Sequence, residues 1–454
     1  MSPDELARAA ADHLWPHFSK LPSPDGTGLD IIERGDGAYV WDSRGRRYLD
    51  GLAGLFVTQA GHGRREIAAA AAEQASRLAY FPLWGYAHPA AVELAARLAA
   101  LAPGALSRVF FTSGGSEAVE SAWKLARQWF LAIGQPERTK VIARRTSYHG
   151  TTLGALSITG LEPIREPFRP LLNGLARHVQ TTDRRRCELC AGAPSCTLGC
   201  ADEIEAAILA EGPETVAAVY LEPVQNAGGC IVPPDGYWQR VRETCNRHGV
   251  LLVSDEVICA FGRIGSWFGA SRLGYEPDML TFAKGVTSGY APLGGVLVSE
   301  RIAQPFLDGA VPFQHGITFA GHPVSCAVAL ANLDVLERED LPGRARTLEG
   351  EFRSSLEQLL DLPIAAEVRG MGFFYAIELD NAGTPFSDEQ RGWLVRDFVV
   401  RRGRELGLIC RADDRGGYPV VQVSPPLVVG HEEFDAMTGV LRQVLLEAWK
   451  ELSG

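Results

Sequence analysis

The chain has 454 residues, 46% of them hydrophobic, and a formal net charge of −11. A chain of this length can bury a large core and is long enough for more than one domain. The negative charge argues against nucleic acid and anionic membranes as partners, because both bind basic surfaces. The sequence has no run of about 18 apolar residues and no basic N-terminus before an apolar stretch, so we expect no membrane span, no signal peptide and a cytoplasmic location.

The pattern of turns and apolar residues changes twice along the chain. Residues 1–60 indicate an N-terminal arm that contains a small hairpin around Tyr39-Val40-Trp41 and forms part of a small domain. Strands and helices alternate over 61–325, the pattern of a large domain with a mostly parallel sheet covered on both faces. Residues 326–454 begin within a long helix and continue with short strands between helices, which indicates the rest of a smaller α+β domain.

The first functional pattern consists of a strand, a glycine turn and a helix. Arg108 to Thr112 predicts the strand, Ser113-Gly114-Gly115-Ser116 the turn, and Glu117 to Trp129 the helix. Free backbone N–H groups and the positive end of the dipole make a helix start an anion site, so we predict a phosphate on Gly115 and Ser116. The turn matches neither GxxxxGK[ST] nor GxGxxG, so ATP and NAD are poorly supported.

Four of the nine cysteines lie in one short stretch, at Cys187, Cys190, Cys196 and Cys200. Their C-x2-C-x5-C-x3-C spacing leaves three alternatives open: a tetrahedral structural zinc, reduced thiols, or a redox-active pair. The middle gap is shorter than the usual zinc-ribbon spacing, and disulfides are disfavoured in the cytoplasm. Catalysis should not need the cluster in any of these cases.

Glu222, Asp255 and Lys284 each follow a short apolar run. Such a run is typical of a buried strand, and the carboxyl ends of parallel strands form the ligand-binding edge of a sheet. A lysine with a carboxylate suggests pyridoxal phosphate, because its aldehyde forms a Schiff base with a lysine and its pyridine nitrogen needs a carboxylate to stay protonated. We assign these roles to Lys284 and Asp255 and place Glu222 in the polar network beside Asp255. The alternatives are a turn cap for Asp255 and a surface position for Lys284.

With several further motifs, these residues resemble the class III (omega) aminotransferases, pyridoxal phosphate enzymes of fold type I. The resemblance runs nearly end to end and implies an α/β fold with a mostly parallel seven-stranded sheet between helices and a smaller α+β domain. The matching stretches are Trp41-Asp42, Tyr48-Leu49-Asp50-Gly51, Gly61-His62-Gly63, Phe111-Thr112-Ser113-Gly114-Gly115-Ser116-Glu117-Ala118, Tyr148-His149-Gly150, Glu222-Pro223-Val224, Asp255-Glu256-Val257, Phe261-Gly262-Arg263, Lys284-Gly285, His315-Gly316 with Thr318, and Gly321-His322-Pro323.

The resemblance also implies roles for individual residues. The catalytic residues would be Lys284, Asp255 and Tyr148, and the cofactor-binding residues Gly115, Ser116, Tyr148, Glu222, Asp255, Val257, Lys284 and Thr318. Tyr148 would stack on one face of the cofactor ring, and the β-branched Val257 would press on the other from a strand. Thr318 would reach the phosphate from a partner subunit, which implies a homodimer or a dimer of dimers. Core packing is the alternative for Tyr148 and Val257.

Departures from the relatives that use 2-oxoglutarate predict a different keto acid. Those relatives carry arginine, glutamate and often glutamine at three positions where this chain has Thr151, Ala227 and Ile258. The chain here resembles the amine or omega-amino acid:pyruvate transaminases. The resemblance to that branch implies that Arg411 binds the pyruvate carboxylate and swings away for an amine that lacks one.

A planar guanidinium suits bidentate carboxylate binding, and an arginine without a fixed acidic partner leaves the site at low cost. The alternative for Arg411 is a solvent-exposed salt bridge with Asp413 or Asp414.

The predicted donor pocket is aromatic and apolar. It consists of Phe18, Leu55, Phe56, Trp84, Tyr148, Ala227 and Ile258. Phe56 stands where many amine:pyruvate relatives have tryptophan, so the larger part of the pocket is expected to be wider. The exact donor cannot be derived, because such a pocket distinguishes neighbouring substrates by only about 1–3 kcal/mol per methylene.

Two other functions remain open. A pyridoxal phosphate-dependent aminomutase, racemase or decarboxylase of the same fold would form product without an added keto acid. A non-catalytic sensor built around the cysteine loop would have no chemical need for both Lys284 and Asp255.

Overall fold

The computed structural model describes residues 1–23, 29–190, 195–309 and 311–453. Within these ranges the strands form three sheets. The strands are β1 (Ile32–Asp36), β2 (Tyr39–Asp42), β3 (Arg47–Asp50), β4 (Leu106–Thr112), β5 (Lys140–Arg144), β6 (Ala176–Val179), β7 (Val216–Leu221), β8 (Leu251–Asp255), β9 (Met279–Phe282), β10 (Gly294–Ser299), β11 (Ala365–Met371), β12 (Phe374–Leu379), β13 (Leu408–Ile409), β14 (Arg411–Asp413) and β15 (Val420–Val423).

The helices lie between and around these strands. They are α1 (Pro3–His13), α2 (Ala53–Phe56), α3 (Arg65–Arg77), α4 (Pro89–Leu101), α5 (Gly115–Ala132), α6 (Leu153–Ile158), α7 (Glu162–Arg165), α8 (Gly199–Glu211), α9 (Tyr237–His248), α10 (Gly269–Leu273), α11 (Glu300–Asp308), α12 (Pro323–Arg338), α13 (Leu341–Glu357), α14 (Asp388–Gly392), α15 (Val399–Glu405) and α16 (His431–Ser453). A π-helical stretch at Trp393–Phe398 joins α14 to α15. No helix within the described ranges is long and apolar enough to cross a membrane.

The largest sheet has seven strands in the order β4-β10-β9-β8-β7-β5-β6. Its central strands are parallel, and only β10 runs antiparallel to both neighbours. The predicted mostly parallel α/β sheet is therefore confirmed. Because β4 and β9 both oppose β10, the carboxyl ends of β4, β5, β7, β8 and β9 lie along one edge.

Helices cover both faces of this sheet. Alternate side chains of β5 and β8 point to opposite faces: Val141 and Val253 pack with α5, whereas Ile142 and Leu252 pack with α8 and α9. This alternation follows from the two-residue period of a strand. With both faces buried, each strand is continuously apolar, which is why the sequence shows uninterrupted apolar runs.

Two smaller sheets complete the described structure. An antiparallel sheet has the order β11-β12-β15-β14, and another has the order β1-β2-β3-β13. In the second, β13 runs parallel to β3, so the N-terminal segment and the C-terminal third of the chain share one sheet. The domain boundaries near residues 60 and 325 stay predictions.

Candidate active site

Lys284 lies just beyond β9, in a left-handed backbone conformation with φ 46°. This conformation is uncommon for a residue other than glycine and persists only where the surroundings fix it. Asn332 Nδ2 of α12 donates hydrogen bonds to the carbonyl oxygens of Gly285 (2.9 Å) and Val286 (3.0 Å). A Cβ on Gly285 would lie only 2.2 Å from Nε2 of Gln59. Close packing and two hydrogen bonds therefore hold Lys284 at the carboxyl edge of the sheet.

The buried Lys284 amine is less basic than that of an ordinary lysine. Burial lowers the pKa of Lys284 to about 8; the carboxylate of Asp255 opposes this shift, and the charge of Arg411 adds to it. A larger fraction of such an amine is unprotonated at pH 7 than for a lysine of ordinary pKa. Only the unprotonated amine is a nucleophile or a base.

Asp255 ends β8, and its carboxylate is buried and held from both sides. Its Oδ2 lies 2.7 Å from Nδ1 of His149, and its Oδ1 accepts hydrogen bonds from Oγ1 of Thr281 (3.2 Å) and the backbone N–H of Val257 (3.2 Å). These contacts fix the orientation of the carboxylate, and an ionised carboxylate has lone pairs for one further donor. Asp255 is thus not a simple turn cap.

His149 is the buried histidine of the Tyr-His-Gly motif. Because a carboxylate only accepts hydrogen bonds, we assign the proton on the His149 ring to Nδ1, facing Asp255. Among the described residues its Nε2 has no hydrogen-bond partner. Asp255 is thus the hydrogen-bonding partner of His149.

Glu222 follows β7 and is also buried. Its Oε1 accepts a hydrogen bond from the backbone N–H of Tyr148 (3.2 Å) and its Oε2 one from that of Asn226 (3.0 Å). Burial raises the pKa of Glu222, and the positive charge of Arg144 opposes that shift. Glu222 therefore positions the Tyr148 backbone. Burial also raises the pKa of the Tyr148 phenol.

The glycine turn lies beside Val257, the residue that follows Asp255 and Glu256. α5 begins at Gly115, two residues earlier than predicted, and a Cβ on Gly115 would lie 2.9 Å from Cγ1 of Val257. A Cβ on Gly114 would meet nothing within 4 Å, so there is open space before the helix start. Backbone N–H groups facing such space suit a phosphate. The Oγ of Ser116 accepts a hydrogen bond from the backbone N–H of Thr151 (3.2 Å).

The prediction that Val257 lies in a strand is wrong. β8 ends at Asp255, and the hydrogen bond from the Val257 N–H to the Asp255 carboxylate begins a turn instead. The turn nevertheless brings the side chain of Val257 against Gly115.

The ring of Phe56 lies between Lys284 and Arg411. The centroid of its ring lies 5.3 Å from Nζ of Lys284 and 5.9 Å from Cζ of Arg411. Phe56 has a left-handed backbone with φ 61° and packs edge-on against Phe374 in a buried cluster that also contains Ile258. Two of the predicted pocket residues thus lie in one apolar cluster beside Lys284.

Arg411 begins β14 and is paired with an acid. Its Nη2 donates a hydrogen bond to Oδ2 of Asp413 (2.6 Å), and Arg415 donates to the same carboxylate through Nε and Nη2. The prediction that Arg411 lacks a fixed acidic partner is therefore wrong, because side chains two residues apart on a strand share a face. The pair is partly buried, and burial raises the pKa of Asp413 to about 6 against the lowering effect of Arg411.

Other predicted site residues have no described contact, within the single chain, with the apolar cluster of Phe56 and Ile258. Phe18 is 72% exposed, Leu55 is 55% exposed and Trp84 is 64% exposed. The indole of Trp84 lies about 3 Å from where a Cβ on Gly316 would be, and the hydroxyl of Tyr80 donates to the carbonyl oxygen of Thr318 (2.8 Å). Ala227 is fully buried, and its carbonyl oxygen accepts a hydrogen bond from Gln225.

The cysteine loop is separate from this cluster of residues. All nine cysteines are free, and Sγ of Cys190 lies 4.0 Å from Sγ of Cys196. No group of three or more histidine, cysteine or acidic side chains in the described ranges is arranged to hold a metal ion. Residues 191–194 of this loop lie outside those ranges.

Sequence reasoning missed three residues that hold the site together: Gln59, Thr281 and Asn332. Thr281 had a usable signal, because it lies on the apolar run shortly before Lys284, and in the structure that run pairs with β8. Gln59 and Asn332 gave none, since their contacts with the Lys284 turn arise only from packing between distant segments.

A buried lysine, a buried acid and a glycine-started helix at one edge of a mixed α/β sheet form a candidate cofactor site. The sequence profile of class-III aminotransferases matches residues 24–445. The chain belongs to the class-III aminotransferase family, whose members use pyridoxal phosphate.

Relatives support the same assignment. A probable aminotransferase of Mycobacterium tuberculosis is 54% identical over 98% of this chain and 95% of its own length. The putrescine–pyruvate aminotransferase of Pseudomonas aeruginosa is 37% identical over 97% and 96%. The structure of an omega transaminase from Pseudomonas jessenii in complex with PMP superposes with a TM-score of 0.92 at 34% identity, covering 99% of both chains. The chain thus has the fold of a fold type I transaminase.

Proposed function

We propose that this protein transfers an amino group from an amine or an omega-amino acid to pyruvate in two half-reactions at Lys284. The observation that carries the proposal is the position of the Phe56 ring, whose centroid lies 5.3 Å from Nζ of Lys284 and 5.9 Å from Cζ of Arg411. The Lys284 amine, which would move a proton, and the Arg411 guanidinium, which would bind a carboxylate, would thereby act on the same small substrate.

The residues at the sheet edge fit pyridoxal phosphate. When bound, this cofactor supplies an aldehyde that carries the amino group and a ring that accepts electrons from the substrate carbon. The open space at Gly114, with the helix start of Gly115 and Ser116, would take its phosphate. Asp255 would keep a proton on the pyridine nitrogen, while Tyr148 and Val257 would enclose the ring.

Lys284 would be the attachment point of the cofactor and the proton carrier. Once free of the cofactor, the Lys284 amine would take a proton from the substrate carbon and return it to a different atom. The lowered pKa supports this role, because more of the amine is unprotonated near neutral pH than in an ordinary lysine.

The choice of keto acid rests on Arg411 and on the positions of Thr151, Ala227 and Ile258. None of these three supplies a cation for the second carboxylate of 2-oxoglutarate. Asp413 would hold the Arg411 guanidinium while an amine without a carboxylate occupies the site. The putrescine–pyruvate relative supports the same pair of substrates.

A second copy of the chain would complete the site. An exposed aromatic surface, consisting of Tyr80, Phe81, Trp84, Tyr86 and Phe319, borders Thr318. Exposed apolar surface of this kind marks interaction sites. We infer a homodimer or a dimer of dimers, in which Thr318 reaches the phosphate of the partner and Phe18, Leu55 and Trp84 line the donor pocket. The cytoplasmic location stays a prediction.

The spectrum of the bound cofactor tests the proposed function. Adding an amine donor to the holoenzyme should convert the aldehyde spectrum to that of the amine form, and pyruvate should restore it. We expect 2-oxoglutarate to restore it far more slowly. Faster recovery with 2-oxoglutarate would contradict the pyruvate assignment. Product without any keto acid would instead indicate an aminomutase, racemase or decarboxylase.

Replacing Arg411 with alanine should separate the two half-reactions. If the guanidinium binds the pyruvate carboxylate, kcat/KM for pyruvate should fall roughly 10- to 150-fold, equivalent to about 1.5–3 kcal/mol for hydrogen bonds to a charged group. The half-reaction with a simple amine should change much less, because that substrate offers no carboxylate and only the effect of the Arg411 charge on the Lys284 pKa is lost. Stopped-flow absorbance measures both.

Arg415→Ala is the matched control. Arg415 binds the same Asp413 carboxylate as Arg411 does. If Arg411 acts only by neutralising Asp413, the two variants should behave alike. We expect Arg415→Ala to leave pyruvate kinetics almost intact, and equal losses in both half-reactions of Arg411→Ala would contradict carboxylate binding.

A further inference from the structure

Cys190 and Cys196 lie together in the segment between β6 and α8. Their Sγ atoms are 4.0 Å apart, and Sγ of Cys190 lies 3.3 Å from Oγ1 of Thr197. Both cysteines are partly exposed, whereas Cys187 and Cys200 are buried. The segment therefore offers one solvent-accessible pair of sulfur atoms.

The four thiols of this segment differ in reactivity. Hydrogen bonds from the Thr197 hydroxyl, the Thr197 backbone and the Cys187 thiol lower the pKa of Cys190 to about 6. Burial raises the pKa of Cys200 to about 12 and also raises that of Cys187. Because the thiolate is the nucleophile, Cys190 should react first at neutral pH.

We propose that Cys190 and Cys196 form a reversible disulfide in response to a hydroperoxide, with Cys190 as the attacking and Cys196 as the resolving sulfur. The two sulfur atoms of a disulfide lie about 2.05 Å apart, so Sγ of Cys190 and Sγ of Cys196 must come about 2 Å closer to each other. Movement of the two side chains would have to close this gap from the observed 4.0 Å.

The chemistry takes two steps. The Cys190 thiolate attacks one peroxide oxygen, the O–O bond breaks, and the leaving oxygen takes a proton from water, so that Cys190 becomes a sulfenic acid. The Cys196 sulfur then attacks the Cys190 sulfur, the S–S bond forms, the S–O bond breaks, and the hydroxyl leaves as water with the Cys196 proton. Two electrons pass from the two sulfur atoms to the peroxide, and an external dithiol returns them.

Peptide mapping tests this directly. The full-length holoenzyme is reduced, freed of reductant and treated with one equivalent of hydrogen peroxide. Remaining thiols are alkylated before mass spectrometry. We expect a Cys190–Cys196 link that dithiothreitol reverses. A Cys187–Cys190 link, or no reaction at a peroxide concentration that oxidises N-acetylcysteine, would overturn the proposal.

Single variants distinguish the two roles. Cys196→Ser should stop at a sulfenic acid on Cys190, which dimedone traps, and Cys190→Ser should remove both the link and the dimedone adduct. Cys245→Ser, in a buried position of α9, is the control and should still form the link. Dimedone labelling of Cys196 in the Cys190→Ser variant, or one bound metal ion per reduced chain in elemental analysis, would contradict the assignment. The result does not depend on transaminase activity.

Discussion

Replacing Lys284 with alanine is expected to lower kcat at least about 10⁴-fold, the upper range for the loss of one positioned proton-transfer group. The variant loses both the covalent attachment point and the amine that is partly unprotonated at neutral pH. Alanine keeps the Cβ and the backbone of the turn, which Asn332 holds independently of the side chain. Steady-state kinetics with a thermal unfolding measurement separate lost chemistry from lost structure.

Lys140→Ala is the control for this variant. Lys140 begins β5 at the edge of the sheet opposite Lys284, and its Nζ donates to the carbonyl oxygen of Glu211 (2.9 Å). Its loss should leave kcat nearly unchanged. Near-normal multiple turnover by Lys284→Ala would remove the proposed mechanism while leaving the family assignment intact.

Asp255→Asn should lower kcat/KM about 100- to 1,000-fold, the usual effect of removing one preorganised electrostatic contact. A neutral amide no longer favours a proton on the pyridine nitrogen. The fold should be retained, because the amide oxygen of asparagine still accepts a hydrogen bond from His149 or Thr281. Kinetics and unfolding temperature are measured together, and unchanged kinetics would mean that another carboxylate has this role.

The neighbouring Glu256 provides a matched control. Its carboxylate accepts hydrogen bonds from the backbone N–H groups of Gly269 and Ala270, and burial raises its pKa to about 7. Glu256→Gln should destabilise the fold by about 1–3 kcal/mol, because one of those buried donors meets an amide nitrogen. The folded fraction should keep its activity. This pattern is the reverse of that expected for Asp255→Asn.

Much of the fold and part of the site follow from local sequence. The apolar runs before Glu222, Asp255 and Lys284 correspond to β7, β8 and β9, because a doubly covered parallel sheet makes its strands continuously apolar. Since parallel strands share a direction, their three following residues had to reach the same edge. The glycine turn before α5 could also be predicted, because its signals lie within a few residues of each other.

The sequence by itself thus determined the sheet, the residues at its carboxyl edge and the family motifs. Only the tertiary structure decided that the Phe56 ring lies near both Lys284 and Arg411, that His149 orients Asp255, and that Asn332 fixes the lysine turn. Local patterns specify elements and the direction of their side chains. Contacts between segments far apart in the chain depend on how complete elements pack, and no periodicity within one segment encodes them.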